Sequence, residues 1–219
     1  MKKRKTAIVL GATGLTGGLL LDQLLKDERY EKVKVFTRRS LGFTHLKLVE
    51  FKVDLLRLTE QKNHFTGDEV FCCIGSTQKK TPNNDVYEKV DVGIPTQASV
   101  LAKENQINTF IMISALGADL ESRFFYNQIK GRAEANVLQQ EIKHTYILRP
   151  SLISGKRKEK RPFEFLWKQI MKIANFAMLG PLKKYRSISA STIANAMLVL
   201  ANSQSNKQII ESEEIKKLV

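Results

Sequence analysis

The feature that most constrains the fold lies near the start of the chain, where an apolar run meets a set of spaced glycines. Residues 6–10 are Thr-Ala-Ile-Val-Leu, and Gly11, Gly14 and Gly17 follow at intervals of three. The apolar run is typical of a buried strand, and a helix is expected from about Gly14 to Lys26. Gly11 permits a sharp turn and Gly17 lets a helix pack closely on a sheet. The pattern therefore predicts a strand, a tight turn and a helix.

Short apolar runs continue to alternate with helical patterns through the first two thirds of the chain. Further strands are expected at residues 33–37, 46–53, 69–74, 109–114 and 145–148, and further helices near residues 56–64, 87–105 and 124–140. Parallel strands need crossover connections, which are right-handed in nearly all proteins. The simplest arrangement is an α/β fold with a doubly wound parallel sheet in the order 3-2-1-4-5-6 and helices on both faces.

The glycine turn also predicts a ligand. Backbone N–H groups and the dipole at a helix N-terminus favour phosphate, and Gly14 lets the backbone approach a pyrophosphate without an intervening Cβ. A P-loop is not favoured, because no Lys-Ser or Lys-Thr pair follows Gly17. The ligand expected here is a nicotinamide dinucleotide. The residues predicted to contact its pyrophosphate are Gly11, Ala12, Thr13, Gly14, Leu15, Thr16 and Gly17.

Two arginines, Arg38 and Arg39, follow the second predicted strand, where an NAD-specific site would carry an acidic residue for the ribose 2′-hydroxyl. Two guanidiniums can instead clamp a 2′-phosphate and stack on the adenine. NADP(H) is therefore expected in preference to NAD(H), unless the arginines are ordinary surface charges. The residues expected at the cofactor after the third and fourth strands are Asp54, Leu55, Cys73, Ile74 and Gly75.

Tyr126 and Lys130 lie four residues apart, on one face of a predicted helix. This pair suits carbonyl reduction, because a phenol can protonate the forming alkoxide while a nearby ammonium favours the phenolate. Lys130 could also hold the nicotinamide ribose, and Ser114, at the end of the fifth strand, could hydrogen-bond the substrate carbonyl. A second Tyr-x-x-x-Lys, at Tyr30 and Lys34, falls at the second strand and is not favoured.

Composition limits the class of protein and its partners. The apolar content of 42% can supply a core, and the two cysteines, Cys72 and Cys73, are neighbours, which excludes a disulfide framework. No apolar stretch approaches the roughly 20 residues needed to cross a bilayer. These features predict a cytoplasmic protein without a membrane partner. The three scattered histidines predict no metal site.

The net charge of +14 is concentrated in residues 151–190, which hold ten Lys and Arg against two Asp and Glu. Nucleic acid is one partner that such charge would suit. A solvated basic surface is favoured instead, because neither interleaved aromatic residues nor a nucleic-acid motif accompanies the charge.

The chain resembles the short-chain dehydrogenase/reductase superfamily, in its extended and atypical branches. The residues that carry the resemblance are Gly11, Gly14, Gly17, Asp54, Ser114, Tyr126, Lys130, Arg149 and Pro150. Residues 114–119, 126–135 and 148–150 are most similar to the HIV Tat-interactive-protein-like oxidoreductases. The resemblance implies a Rossmann fold, NADP(H) binding, catalytic roles for Ser114, Tyr126 and Lys130, and a cofactor contact at Pro150. Asp91 stands where extended members often carry Asn, and a carboxylate cannot donate as an amide does.

Two functions remain open on the sequence. The first is an NADP(H)-dependent oxidoreductase acting on a small carbonyl or enone substrate, and the second is an NADP(H)-sensing regulator with little or no turnover. A homodimer and a regulatory protein partner are both left open. Residues 1–155 are expected to form the NAD(P)-binding Rossmann domain. Residues 156–219 are expected to add a small helical lid on its substrate side, with helices near residues 162–178 and 191–202.

Overall fold

The computed structural model describes residues 4–77, 81–155, 185–203 and 205–219. Within these ranges one sheet contains seven parallel strands in the order β3-β2-β1-β4-β5-β6-β9, and a small second sheet pairs β7 with β8. The strands are β1 Lys5–Leu10, β2 Tyr30–Thr37, β3 Leu48–Lys52, β4 Glu69–Cys72, β5 Thr109–Ile113, β6 His144–Arg149, β7 Ile153–Ser154, β8 Ile188–Ser189 and β9 Ile209–Glu211. The predicted doubly wound order is confirmed, and β9 extends it beside β6.

Helices cover both faces of the sheet. They are α1 Leu15–Lys26, a 3-10 helix at Leu55–Gln61, α2 Asn84–Glu88, a π-helical turn at Lys89–Gly93, α3 Ile94–Glu104, α4 Phe125–Leu138, α5 Ala190–Ala201 and α6 Ser212–Lys217. The central strands β4 and β5 are buried at every residue, and their sequences are almost continuously apolar. Successive side chains enter opposite cores: Ala7 and Val9 of β1 pack with α1 and α5, whereas Ile8 and Leu10 pack with α3 and α4.

The helix expected near residues 191–202 is present as α5, but it is part of the core. Ile193, Met197 and Leu200 are buried in the same cluster as the apolar face of α1. The Gln23 Nε2 donates to the Asn195 Oδ1 across the two helices, at 2.5 Å. Helix α5 therefore supplies part of the helical layer that covers β5. The helix expected near residues 162–178 lies outside the described residues.

The helix expected at residues 87–105 contains a wider turn. The Ile94 N–H donates to the Lys89 carbonyl, five residues back, in the π-helical pattern. Pro95 follows at once and has no N–H to donate to the carbonyl of Asp91, four residues back. π-Helical turns of this kind are frequent at functional sites. Here the turn carries Asp91, which is buried.

Candidate active site

The glycine turn forms as the sequence predicts, between β1 and α1. Gly11 has a φ of +82°, a conformation that favours glycine. A Cβ on Gly11 would lie 2.5 Å from the Cys73 carbonyl oxygen, and one on Gly17 would overlap the Gly11 carbonyl oxygen. The Gly14 N–H donates to the Gly11 carbonyl at 2.9 Å, which closes the turn. The first and third glycines are therefore required by backbone packing alone.

The N-terminus of α1 fits a phosphate. Within the described part of the chain, no side chain caps this end of the helix, and its first turn carries no acidic residue. The turn residues differ in exposure: Thr13 and Gly14 are exposed, whereas Ala12, Thr16 and Gly17 are buried. Thr13 and Gly14 thus present backbone to solvent at the positive end of the helix dipole, where an anion is stabilised.

A second part of the candidate cofactor site lies beyond β2 and β3. Arg38, Lys52, Val53 and Asp54 line an open cavity of about 370 Å³. Arg38 and Arg39 are both exposed at the end of β2. Lys52, which the sequence analysis did not single out, adds a third cation because β3 ends beside β2 in the parallel register.

Two residues expected at the cofactor, Asp54 and Leu55, also have local structural roles. The Asp54 carboxylate accepts a hydrogen bond from the Leu56 N–H at 3.0 Å and so caps the 3-10 helix. Leu55 is buried in the core beneath α3. Asp54 is exposed, so it lies nearer than Leu55 to the space that a cofactor would use.

The segment after β4 passes directly under the glycine turn. The Cys73 N–H donates to the Leu10 carbonyl at 2.9 Å, and Cys73, Ile74 and Gly75 continue along the same edge of the sheet. Burial raises the pKa of the Cys72 thiol to about 11, and burial raises the pKa of Cys73 as well. Neither thiol forms a thiolate near pH 7, which favours a packing role over redox chemistry.

Tyr126 and Lys130 lie on one face of α4, as their spacing predicts. The Lys130 Nζ is 6.0 Å from the centre of the Tyr126 ring. Tyr126 is 42% exposed and Lys130 only 4% exposed. The phenol is therefore accessible to solvent, whereas the ammonium is buried.

Lys130 is held from below by Asp91. The Lys130 Nζ is 2.7 Å from the Asp91 Oδ1, and the Asp91 Oδ2 accepts from the Ser76 N–H at 2.8 Å. Burial by itself would lower the pKa of Lys130, but the charge and hydrogen bond of Asp91, together with the nearby Tyr126 and Cys72, raise it. Asp91 therefore occupies its position as an ionic partner of Lys130.

Ser114 is bonded to a second buried carboxylate. Its hydroxyl donates to the Glu134 Oε1, and Arg149 completes the group by donating to both Glu134 oxygens, with Nη2 to Oε2 at 2.6 Å. The Arg149 Nη1 also contacts the Glu211 Oε1 at 3.3 Å. Ser114 is 4% exposed, and its hydroxyl donates its hydrogen bond to Glu134.

The segments after β5 and β6 close this side of the site. The Leu116 N–H donates to the Pro150 carbonyl at 2.9 Å, which places buried Pro150 beside the loop that follows Ser114. A Cβ on Gly131 would lie 2.5 Å from the Asp119 carbonyl carbon, so α4 can approach this loop only because residue 131 is glycine.

Sequence reasoning did not identify Glu134, Lys52 or the packing role of Gly131. The position of Glu134, four residues after Lys130, was the available signal, because residues at this spacing share a helix face.

Among the described residues no cluster of three or more His, Cys, Asp or Glu could hold a metal ion. In the same part of the chain, no helix combines the length and apolar character needed to cross a bilayer.

Comparison with known proteins identifies the family. Residues 11–203 match the model of a family described as NAD(P)H-binding. The chain belongs to this NAD(P)H-binding family. The rat (Rattus norvegicus) Protein HTATIP2 is 34% identical over 168 residues, which are 75% of this chain and 69% of HTATIP2. This similarity confirms the resemblance to the Tat-interactive-protein-like branch.

Further relatives of this NAD(P)H-binding protein carry the name Protein FMP52, mitochondrial. The Saccharomyces cerevisiae protein is 30% identical over 164 residues, covering 72% of this chain and 70% of the relative. FMP52 relatives from three other organisms are also named mitochondrial, which contradicts the expected cytoplasmic location. That expectation rested on cysteine use and on the lack of a membrane-crossing stretch, and neither feature separates one reducing compartment from another.

Solved structures share the fold at low sequence identity. MoeE5 in complex with UDP-glucose and NAD gives a TM-score of 0.67 at 17% identity, covering 96% of this chain and 79% of MoeE5. The Bordetella bronchiseptica enzyme WbmG in complex with NAD gives a TM-score of 0.72 at 12% identity, covering 95% of this chain and 72% of WbmG. The match shows that this NAD(P)H-binding protein has a Rossmann fold.

Proposed function

We propose that the protein is an NADP(H)-dependent oxidoreductase that reduces a carbonyl or enone substrate. The observation that carries the proposal is the common placement of Tyr126 and Lys130. Both lie on one face of α4, and a Cβ on Gly75 would stand 3.5 Å from the Lys130 Nζ. The pair thus lies where β4 ends, next to the glycine turn, and ligands of open α/β sheets bind beyond these strand ends.

The residues present fit a dinucleotide. Gly14 presents bare backbone at the start of α1, and the uncapped first turn offers N–H groups to a pyrophosphate. Gly75 keeps the space above Lys130 open, which suits the ribose next to the nicotinamide. When bound, the reduced nicotinamide supplies the hydride.

The chain's own residues would then manage the proton. The exposed Tyr126 phenol donates its proton to the substrate oxygen as negative charge develops there. The Lys130 ammonium stabilises the phenolate that remains and donates to ribose hydroxyls. Ser114 can donate to a substrate carbonyl only by turning away from Glu134, so its proposed role is to shape and polarise the site from the β5 side.

A turnover screen tests the proposal. NADPH oxidation would be followed spectroscopically with panels of aldehydes, ketones, enones and quinones. We expect at least one class to accelerate oxidation above the rate without substrate, with NADPH preferred over NADH. Binding of NADPH without turnover on any class would contradict the reductase function.

A cofactor-preference experiment tests the role of the arginines. Replacing Arg38 and Arg39 together with Ala should weaken NADPH binding about 10- to 100-fold, because one strong charge-assisted contact is worth about 1.5–3 kcal/mol. NADH, which lacks the 2′-phosphate, should bind almost unchanged. The measurement is titration calorimetry with both dinucleotides.

Arg29→Ala is the matched control for that experiment. Arg29 precedes the other end of β2, and its side chain is 53% exposed. Equal losses for NADPH and NADH in the Arg38→Ala/Arg39→Ala protein, or the same NADPH loss in Arg29→Ala, would refute the 2′-phosphate assignment.

A regulatory function as an NADP(H) sensor is the second candidate, and one observation favours it. Two of the three proposed catalytic side chains are engaged by buried carboxylates, Lys130 by Asp91 and Ser114 by Glu134. A site tied in this way can bind a dinucleotide tightly without fast turnover. The turnover screen separates the two functions.

A further inference from the structure

Asp91 and Lys130 form an ion pair that is almost closed off from solvent. The Lys130 Nζ lies 2.7 Å from the Asp91 Oδ1, and the two side chains are 5% and 0% exposed. An ammonium buried without a counterion either loses its proton or strongly destabilises the fold. The presence of Asp91 therefore decides whether Lys130 can carry a charge.

The backbone fixes the Asp91 carboxylate independently of Lys130. Its second oxygen accepts from the Ser76 N–H at 2.8 Å, which ties it to the segment after β4. Its own main chain lies in the π-helical turn at Lys89–Gly93. The hydrogen bond from Ser76 and the π-helical turn both fix the Asp91 carboxylate in place. The long, flexible side chain of Lys130 can therefore pair with a carboxylate whose position is already set.

The pair lies next to the proposed cofactor path. A Cβ on Gly75 would stand 3.5 Å from the Lys130 Nζ and 3.7 Å from the Asp91 Oδ1. Glycine at this position therefore leaves space beside the ammonium, after the end of β4. A larger side chain would cover the pair and separate it from the ligand.

The other titratable groups around the pair come from three elements. Tyr126 on α4 has its ring centre 6.0 Å from the Lys130 Nζ. The fully buried Tyr87 on α2 interacts with the Asp91 charge, and Cys72 at the end of β4 interacts with both members of the pair. Burial raises the pKa of Tyr87 and of Cys72, so both are neutral near pH 7. Asp91 is thus the counterion of Lys130.

We propose that Asp91 is a positioning residue that keeps Lys130 charged and fixed beside the cofactor. This inference rests on the proposed function, because the charge of Lys130 matters for turnover only if Tyr126 is the proton donor. Neutralising Asp91 removes the compensation for burial, so Lys130 should then lose its proton at a lower pH than in the wild-type protein.

A direct titration of Lys130 tests this inference without using activity. Protein labelled with ¹³C at lysine Cε would be followed by NMR from pH 6 to pH 10, with Lys130→Met to assign the signal. In the wild-type protein Lys130 should stay protonated throughout this range, because its pKa is raised. In Asp91→Asn its transition should move down by at least about one pH unit, which is a tenfold change in the equilibrium. Identical transitions in both proteins would overturn the inference.

Glu88→Gln is the matched control, since Glu88 precedes the same π-helical turn. Its carboxylate pairs with Arg132 at 2.6 Å, and both side chains are about 40% exposed. This variant should leave the Lys130 titration unchanged. Asp91→Glu, which keeps the charge, should restore most of the wild-type behaviour.

The pH profile of turnover gives the second readout. In Asp91→Asn the decline of kcat/KM on the alkaline side should begin at least about one pH unit lower than in wild type. A wild-type protein without turnover would refute the proposed function, while the NMR titration would still decide the role of Asp91. A shifted NMR transition with an unchanged profile would overturn the link between Lys130 charge and catalysis.

A double variant covers the case in which Asp91→Asn fails to fold. Asp91→Asn combined with Lys130→Met removes both charges, and an uncharged pair is often tolerated where a single buried charge is not. Recovery of the fold in the double variant would support the inference, because the defect would then belong to the unpaired ammonium. Failure of both variants to fold would overturn it and give Asp91 a purely structural role.

Discussion

Tyr126→Phe is expected to lower kcat for carbonyl reduction about 100- to 10,000-fold, the range over which a positioned general acid contributes. The substitution removes one hydroxyl from a side chain that is 42% exposed. Within the described residues this hydroxyl makes no hydrogen bond that the fold depends on, so the melting temperature should change little. Steady-state kinetics with saturating NADPH measures the effect.

Cofactor affinity should be almost unchanged in the same variant. The proposed dinucleotide contacts come from the glycine turn, the end of β2 and Lys130, none of which involves the Tyr126 hydroxyl. A large loss of kcat with an unchanged Kd for NADPH would locate the defect in the proton step.

Tyr146→Phe is the control that removes the same atom elsewhere. The Tyr146 hydroxyl donates to the Ser205 carbonyl at 3.2 Å. We expect a stability loss of about 1 kcal/mol from the missing hydrogen bond, and no change in kcat. If Tyr126→Phe turned over as fast as wild type, Tyr126 would not be the general acid and the sensor function would gain support.

The fold could largely be predicted from the sequence, because the patterns that identify its strands and its first turn are local. The central strands β4 and β5 are buried on both faces and therefore appear as apolar runs, and the glycine spacing identifies the first turn. The strand β9 escaped prediction because it has only three residues, Ile209–Glu211. Such a segment becomes a strand only because β6 offers it an edge with which to pair.

The candidate site could be predicted from the sequence only in part. The spacing of Tyr126 and Lys130 predicts a shared helix face, since helix geometry fixes it. Glutamate is usually a surface residue, so the sequence gives no sign that Glu134 is buried. Only the packing of α4 on β5 and β6 brings it to Ser114 and Arg149. Similarly, the π-helical turn that places Asp91 beside Lys130 depends on tertiary contacts as well as on the proline that follows the turn.

The burial of α5 in the core shows a different limit of sequence reasoning. The apolar residues of this helix were visible, but the sequence does not state which surface they cover. Because α1 leaves an apolar face on the same side of the sheet, α5 is buried against it. The choice between a lid and a core helix is therefore made by the partner surface.

Gly17→Ala is expected to reduce both stability and cofactor binding. Its Cβ would overlap the Gly11 carbonyl oxygen, a backbone atom that cannot rotate away. Overpacking of this kind costs about 1–3 kcal/mol or more, so the melting temperature should fall by roughly 5–10 °C. Because α1 must move away from the turn, NADPH affinity should fall at least about 100-fold.

Two further glycine variants separate stability from binding. Gly93→Ala is the control, because nothing lies within 4 Å of its added Cβ, and it should leave the melting temperature unchanged or slightly higher through better helix propensity. Gly14→Ala places its Cβ 3.2 Å from the Gly11 carbonyl oxygen, on the exposed side of the turn. It should therefore lose NADPH affinity with a smaller loss of stability than Gly17→Ala.

Thermal unfolding with and without NADPH measures both quantities at once, since a ligand that binds only the native state raises the melting temperature. Wild type and Gly93→Ala should show this rise, and Gly17→Ala should not. A Gly14→Ala protein with the full rise would mean that the pyrophosphate does not approach this backbone. The glycine spacing would then reflect helix packing alone, because Gly11 and Gly17 are already required by the backbone contacts of the turn.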